Sequence, residues 1–218
     1  MDMSLVLDYL ARWGHFLFGI TWIGLLYYFN FIQGEYFKAA DASSRVDAFV
    51  KLVPNALWYF RWAALFTFLT GLYMLMVRMS GLTLDITLGA LMGTLMFLNV
   101  WLIIWPNQKI VIASNERVKA GGEALPEAAA AAPKAGLASR TNTLFSFPML
   151  FFMGSSAHFS HGGVAMDSMA LIVATLIIIA IEVNAIVGKQ GPMTTVRGVI
   201  VSGLVLTAVL WGVVGTLS

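Results

Sequence analysis

Long runs of apolar residues make up most of the chain, and shorter polar segments separate them. A helix needs about 20 predominantly apolar residues to cross a bilayer. Runs of that length predict about six transmembrane helices, at roughly Leu5–Ile32, Ala56–Val77, Leu84–Trp105, Thr143–Phe159, Met166–Val187 and Gly198–Leu217. The pattern therefore predicts an all-α polytopic membrane protein, with residues 1–218 forming a single helical domain.

The polar segments predict one short connector and one long loop. Gln33–Pro54 follows the first span, and residues 106–142 lie between the third and fourth spans. The first part of this long loop could continue a helix into water. Its second part, GGEALPEAAAAAPKAG, is rich in Ala, Pro and Gly, a composition that favours a mobile segment.

The positive charges favour one orientation in the membrane. Most of them fall on the side that carries the long loop: Lys38, Arg45, Lys51, Arg61, Lys109, Arg117, Lys119, Lys134, Arg140, Lys189 and Arg197. Only Arg12 and Arg78 lie on the other side. Because cytoplasmic loops carry an excess of Lys and Arg, we expect a bacterial inner-membrane protein with both termini periplasmic.

Composition excludes several kinds of chemistry. The chain is 59% hydrophobic and 11% charged, so a lipid bilayer is its expected surroundings, and a net charge of +2 is too small to indicate a nucleic-acid partner. Without cysteine it can form no disulfide, no thiolate metal site and no covalently attached c-type haem. Its three histidines remain as candidate metal ligands.

Two of these histidines lie at similar predicted depths, each one turn from a glycine on its own helix face. The face in the first span presents Arg12, His15, Gly19 and Trp22. In the fourth span, Gly154 and His158 share a face. Such a pair suits a porphyrin, because the ring needs axial ligands on opposite sides and a helix backbone close to it.

We therefore expect one non-covalent haem b with His15 and His158 as axial ligands and with Arg12 near the propionates. His161 remains open as a replacement for His158, a second metal ligand, a proton carrier or a loop residue. A histidine in a membrane helix also serves as an interhelical hydrogen-bonding group. A transporter or structural protein without haem therefore remains an alternative.

A second polar group lies toward the predicted cytoplasmic side. Glu182 stands in the apolar run LIIIAIEVNAI, and Arg140 and Asn142 open the fourth span. Ionisable residues inside a membrane are candidates for function. Glu182 could pair with Arg61 or Arg140, carry protons or bind a substrate. We take Glu182, Arg140 and Asn142 as candidate catalytic residues.

Four segments in one order carry a resemblance to a known family: RWGHFLFGITWIGLLYYF, VPNALWYFRWAALFTFLTG, IIWPNQK and ASRTNTLFSFPMLFFMGSSAHF. Together they resemble the membrane domain of bacterial membrane-bound urate hydroxylase, through about Phe159. The resemblance implies a helical membrane domain, urate oxidation on the inner side and an outward-facing cytochrome c as electron acceptor. The matching positions include Arg12, His15, Trp22, Arg140, Asn142 and His158.

Two departures from the family affect these expectations. The sequence ends at Ser218 without a cytochrome c tail, so we expect the acceptor to be a separate protein or another subunit. The connector after the first span lacks the family's histidine, which leaves the substrate open. The chain is then either an oxidoreductase resembling urate hydroxylase, or a haem-containing electron-transfer or accessory subunit of a larger membrane complex.

Overall fold

A computed structural model describes residues 2–218, which are almost entirely helical. The helices are α1 (Met3–Tyr27), α2 (Gly34–Ala39), α3 (Ala42–Lys51), α4 (Val53–Val77), α5 (Leu84–Leu98), α6 (Trp105–Lys119), α7 (Ala128–His158), α8 (Met169–Val187) and α9 (Val196–Leu217). Tyr28–Gln33 and Asn99–Ile104 are π-helical, and Met79–Gly81 and Gly191–Thr194 form 3-10 turns. No β-strand occurs within residues 2–218, so the all-α prediction is confirmed.

Five helical rods are long and apolar enough to cross a membrane: Met3–Ala39, Val53–Val77, Leu84–Lys119, Met169–Val187 and Val196–Leu217. Together they make the chain a multi-pass membrane protein. The first and third rods exceed the predicted spans because π-helical segments join α1 to α2 and α5 to α6. Apolar side chains on the rod surfaces, such as Phe16 and Ile20 at 71% and 73% exposure, suit contact with lipid.

The predicted fourth span lies within α7, which differs in character from these five rods. With 31 residues, α7 is about 46 Å long and could also cross a bilayer. Its buried polar residues are Thr141, Asn142, Thr143, Ser146 and Ser155. They are tolerated because α7 packs against α1, α5, α6, α8 and α9 and so occupies the centre of the bundle.

The first part of the predicted long loop at residues 106–142 does continue a helix, as expected, but the prediction that its second part is a loop is wrong. α6 runs to Lys119 and α7 begins at Ala128, so only residues 120–127 connect them. Alanine has the highest helix propensity, and the Ala-rich run forms the first turns of α7. Ala131 and Ala135 are 3% and 0% exposed, so this segment is packed against the rest of the bundle.

The two ends of the bundle differ in what they carry. At the end with both termini, which we call the terminal end, Asp8 on α1 binds Arg78 after α4, and His161 lies beside the end of α9. The opposite end, which we call the loop end, carries α2 and α3. There Lys119 forms an ion pair with Asp47 at 2.7 Å, and this contact holds the pKa of Asp47 below its usual range.

Two closely packed helix pairs form the core. α1 packs most extensively against α4, and α5 packs most extensively against α7. Contacts between the pairs are fewer. They include a hydrogen bond of 2.9 Å between the hydroxyls of Tyr27 and Ser146, and the stacked rings of Phe68 and Phe97, 4.3 Å apart.

Replacing Gly89 with leucine should destabilise the α5–α7 pair. A Cβ atom at position 89 would lie 3.0 Å from Met153 Cγ and 3.3 Å from the Met153 backbone nitrogen. Overpacking of this kind costs about 1–3 kcal/mol, so we expect a lower thermal midpoint in detergent. Gly24→Leu is the control, because no atom lies within 4 Å of a Cβ there. Equal midpoints for the two variants would contradict this close packing.

Candidate functional site

His15 lies in the terminal-end half of α1, and its imidazole contacts α4. Nδ1 is 2.9 Å from the carbonyl oxygen of Thr67 and 3.2 Å from Oγ1 of Thr70. A carbonyl oxygen only accepts hydrogen bonds, so Nδ1 carries the proton and the neutral ring keeps a lone pair on Nε2. Metal-binding histidines commonly show this arrangement, with one ring N–H donated to a carbonyl and the other nitrogen on the metal.

The other predicted residues of this α1 face pack against different neighbours. Trp22 is 2% exposed, and Gly19 faces α4, where Thr67 Cγ2 lies 3.9 Å from the position of an added Cβ. Arg12 is half exposed and donates from Nε to Asp8 at 3.0 Å. The absence of a side chain at Gly19 therefore lets α4 pack close to α1. Arg12 lies at the terminal end of the bundle, where it is paired with Asp8.

The terminal-end half of α7 presents an open surface. His158 is the last residue of the helix, and its side chain is exposed. One turn earlier, nothing lies within 4 Å of a Cβ added to Gly154, and Leu150 is 48% exposed. These residues continue the face on which Ser146 meets Tyr27, at a spacing of four. The α7 face that contacts α1 nearer the loop end is therefore uncovered toward the terminal end.

A buried carboxylate holds His161. Asp85 at the start of α5 is fully buried and accepts from the His161 backbone N–H at 2.7 Å and from Nδ1 at 3.0 Å. It also accepts from the hydroxyl of Ser155 at 2.6 Å. The segment after α7 is thereby tied to α5. Because a carboxylate oxygen accepts, Nδ1 of His161 donates in this contact, as Nδ1 of His15 does to its carbonyl.

The donor chemistry at the terminal end fits a b-type haem. The imidazoles of His15 and His161 each form a hydrogen bond through Nδ1, which leaves Nε2 available as a ligand. The third imidazole, that of His158, is exposed at the end of α7. No thiolate competes with them, because the chain has no cysteine. Imidazole nitrogen is the ligand that many haem proteins use. The surface of α7 is open at Gly154, one turn before His158.

A buried amide–carboxylate network joins α7, α8 and the start of the second π-helical segment, nearer the loop end. Asn99 Nδ2 lies 2.9 Å from Asn142 Oδ1 and 3.1 Å from Glu182 Oε2. Asn142 Nδ2 donates to the carbonyl of Met96 at 2.9 Å. Exposure is 1% for Asn99, 0% for Asn142 and 8% for Glu182, so the network is enclosed by protein.

Within residues 2–218 Glu182 forms no ion pair with Arg61 or Arg140, the partners that the sequence suggested, and its partner is the amide of Asn99. The Arg61 guanidinium lies 3.9 Å from the ring centroid of Trp105. Arg140 stands two residues before Asn142 on α7, and its Nη1 is buried without a hydrogen-bond partner in residues 2–218. Arg140 therefore retains an unused donor inside the protein.

Two π-helical segments contact the same stretch of α7. Asn30 in the first segment donates to Oγ of Ser139 at 2.8 Å. Asn99 opens the second segment and reaches Asn142. π-Helical turns occur frequently at functional sites. These two amides therefore contact neighbouring positions on one face of α7, at Ser139 and Asn142.

The sequence interpretation did not identify Asp85 or Asn30, nor Thr67 and Thr70 of α4, which contact His15. Asp85 and Asn30 are polar residues inside apolar runs, so the rule that singled out Glu182 could have found them. No comparable signal marks the α4 residues, because their role depends on how α4 packs against α1.

Residues 78–214 match the family described as urate oxidase N-terminal. The match spans more than half of the chain and includes Arg140, His158 and Glu182, whereas His15 lies before it. The matched residues begin and end later in the chain than the four motifs that carry the resemblance. The match confirms a relation to urate oxidases. Comparison with curated proteins and with solved structures finds no match.

Asn142→Ala should destabilise the bundle. The change removes the bond from Asn142 to the Met96 carbonyl and the bond that Asn142 accepts from the Asn99 amide, and each lost bond costs about 0.5–1.5 kcal/mol. Thermal denaturation in detergent measures the loss. Asn55→Ala is the control, because this exposed amide makes one long bond of 3.3 Å to the Lys51 carbonyl. A loss no larger than that of the control would show that the network contributes little.

Proposed function

The chain belongs to the urate oxidase N-terminal family, and from that premise we propose that it is a membrane oxidoreductase resembling urate hydroxylase. It binds haem b and passes electrons to a separate cytochrome c. The observation that carries the haem proposal is the bond from His15 Nδ1 to the Thr67 carbonyl, because it leaves Nε2 free for iron.

Three histidines supply the ligands in this proposal. His15 would hold the iron through Nε2, and His158 would supply a second ligand, with His161 as the alternative. Gly154 leaves the surface of α7 open beside His158. The group bound here supplies a one-electron centre. The protein's part is to fix the imidazoles and to keep the centre within an apolar bundle.

A cluster of charges at the terminal end supports a role for Arg12 beside the haem propionates. Asp8 accepts from Arg12 at 3.0 Å and from Arg78 at 2.7 Å. Two cations share one carboxylate, so the cluster carries an excess positive charge. Carboxylate groups of a ligand would be attracted there, although the half-exposed Arg12 would gain only modestly in water.

We assign the polar residues nearer the loop end, namely Arg140 and the network of Asn99, Asn142 and Glu182, to the substrate. The unused Nη1 of Arg140 would bind an anionic or carbonyl-bearing group, because a charged donor gains most from such an acceptor. Urate is a planar anion with several carbonyl groups and fits this requirement. Glu182, held by Asn99, would accept the proton that the substrate loses on oxidation, and Asn142 would keep Asn99 in place.

One observation favours a second candidate function, an electron-transfer or accessory subunit of a larger membrane complex. The amides of Asn99 and Asn142 are 1% and 0% exposed and are bonded to protein groups. A network satisfied in this way has few groups left for a substrate. The second candidate keeps the haem, but oxidises no purine when purified alone.

We further propose that the protein resides in the bacterial inner membrane with both termini in the periplasm. The terminal end carries Arg12 and Arg78, and the other Lys and Arg residues lie toward the loop end. This asymmetry supports a cytoplasmic loop end. A periplasmic terminal end would place the histidines where a periplasmic cytochrome c could accept electrons.

Single-cysteine labelling tests this orientation, since the native chain has no cysteine. Ser4→Cys should react with a membrane-impermeant maleimide in intact spheroplasts. Ser43→Cys in α3 should react only after permeabilisation, because it lies at the loop end. The reverse pattern would contradict the proposed orientation. Reaction of both variants after solubilisation controls for accessibility.

Substitution of the histidines and of Glu182 should separate the two centres. His15→Ala and His158→Ala should abolish the reduced-minus-oxidised spectrum of a b-type haem, because each removes a side chain that would hold the iron. Glu182→Gln should keep that spectrum but lose urate-dependent reduction of cytochrome c, since the amide cannot accept a proton. A full spectrum in both histidine variants would contradict the haem site. Haem without urate oxidation in the wild-type protein would favour the accessory subunit.

A further inference from the structure

Gly71 on α4 lies directly beside the imidazole of His15. A Cβ atom at position 71 would be 3.0 Å from Cε1 of His15 and 3.4 Å from its Nδ1. Carbon atoms pack best at about 3.5–4.0 Å, so even a methyl group at this position would push the ring away. The absence of a side chain at Gly71 therefore permits the observed position of the ring.

The hydrogen bond from His15 is made on the same turn of α4. Nδ1 donates to the carbonyl of Thr67, and in an α-helix that carbonyl also faces the N–H of residue 71. Thr70 adds a hydroxyl oxygen at 3.2 Å from Nδ1. Since Thr67 acts through its backbone, changing its side chain would leave the bond in place. Gly71 is therefore a position at which this contact can be altered without removing either hydrogen-bonding group.

We propose that Gly71 is a positioning residue that holds His15 with Nδ1 on the Thr67 carbonyl and so leaves Nε2 free for the iron. This inference rests on the proposed function, because the haem is the group that Nε2 meets. A ring N–H donated to a carbonyl makes the metal-bound nitrogen more basic and fixes the ring orientation. Displacing the ring would weaken both effects without removing the ligand itself.

Gly71→Ala tests this role in the full-length protein. Altering the support of a metal ligand typically weakens metal affinity about 10- to 100-fold, and we expect a loss in that range when haem is titrated into the apoprotein. We also expect a higher reduction potential and an altered electron paramagnetic resonance signal of the low-spin iron. Alanine favours helix more than glycine does, so α4 itself should not be weakened.

Gly24→Ala on α1 is the matched control, because nothing lies within 4 Å of a Cβ there. Its haem affinity, potential and resonance signal should equal those of the wild-type protein. Wild-type values for all three in Gly71→Ala would overturn the positioning role. Equal losses in both glycine variants would also overturn it, since the effect would then not come from the His15 contact.

A measurement without haem separates this inference from the proposed function. Nitrogen-15 resonances of the apoprotein, assigned to His15 by their loss in His15→Ala, should show Nδ1 protonated in the wild-type protein. Gly71→Ala should lose that signature, and an unchanged tautomer would overturn the inference. Failure of the wild-type protein to bind haem would overturn the proposed function and the role of Gly71 toward iron, whereas the tautomer measurement would still decide whether Gly71 positions the His15 ring.

Discussion

A polar side chain inside an apolar helical bundle must find its partner in the protein or in a bound group, because the bilayer core offers none. This constraint organises the structure around α7. Its buried polar residues bond to neighbouring helices, as Ser146 does with Tyr27 and Asn142 with Asn99. The central helix can therefore be more polar than the five rods around it. Within residues 2–218, Nη1 of Arg140 remains buried without a partner.

The same constraint separates the polar groups into two centres. Asp85 contacts His161, and Asn99 contacts Glu182. Asp85 and Asn99 are 14 residues apart along α5 and its π-helical continuation, which corresponds to about 21 Å. Between them Leu88, Met92 and Met96 are fully buried. An apolar layer thus divides a carboxylate–amide centre from a histidine centre. An oxidoreductase that takes electrons from a substrate at one membrane face and releases them at the other needs such a division.

The sequence predicted the helices well because their signal is simple. Five of the predicted spans correspond to apolar rods, and their length and composition alone identified them. The Ala-rich segment was predicted as a loop because of its Pro and Gly residues. Its alanines, Ala131 and Ala135 among them, favour helix, and their preference prevails in the structure.

The candidate site was predictable in part. His15 and Glu182 stood out as ionisable residues in apolar runs, but their partners did not. The Thr67 carbonyl, Gly71 and the amide of Asn99 enter the site through helix packing, which the order of residues along the chain does not encode directly.

The central claim is that imidazoles at the terminal end hold an iron porphyrin. A pyridine haemochrome assay on wild-type protein, purified from haem-replete cells, tests it most directly. The account predicts the spectrum of haem b, at one haem per chain. A colourless protein that contains no iron and takes up no haem would contradict it.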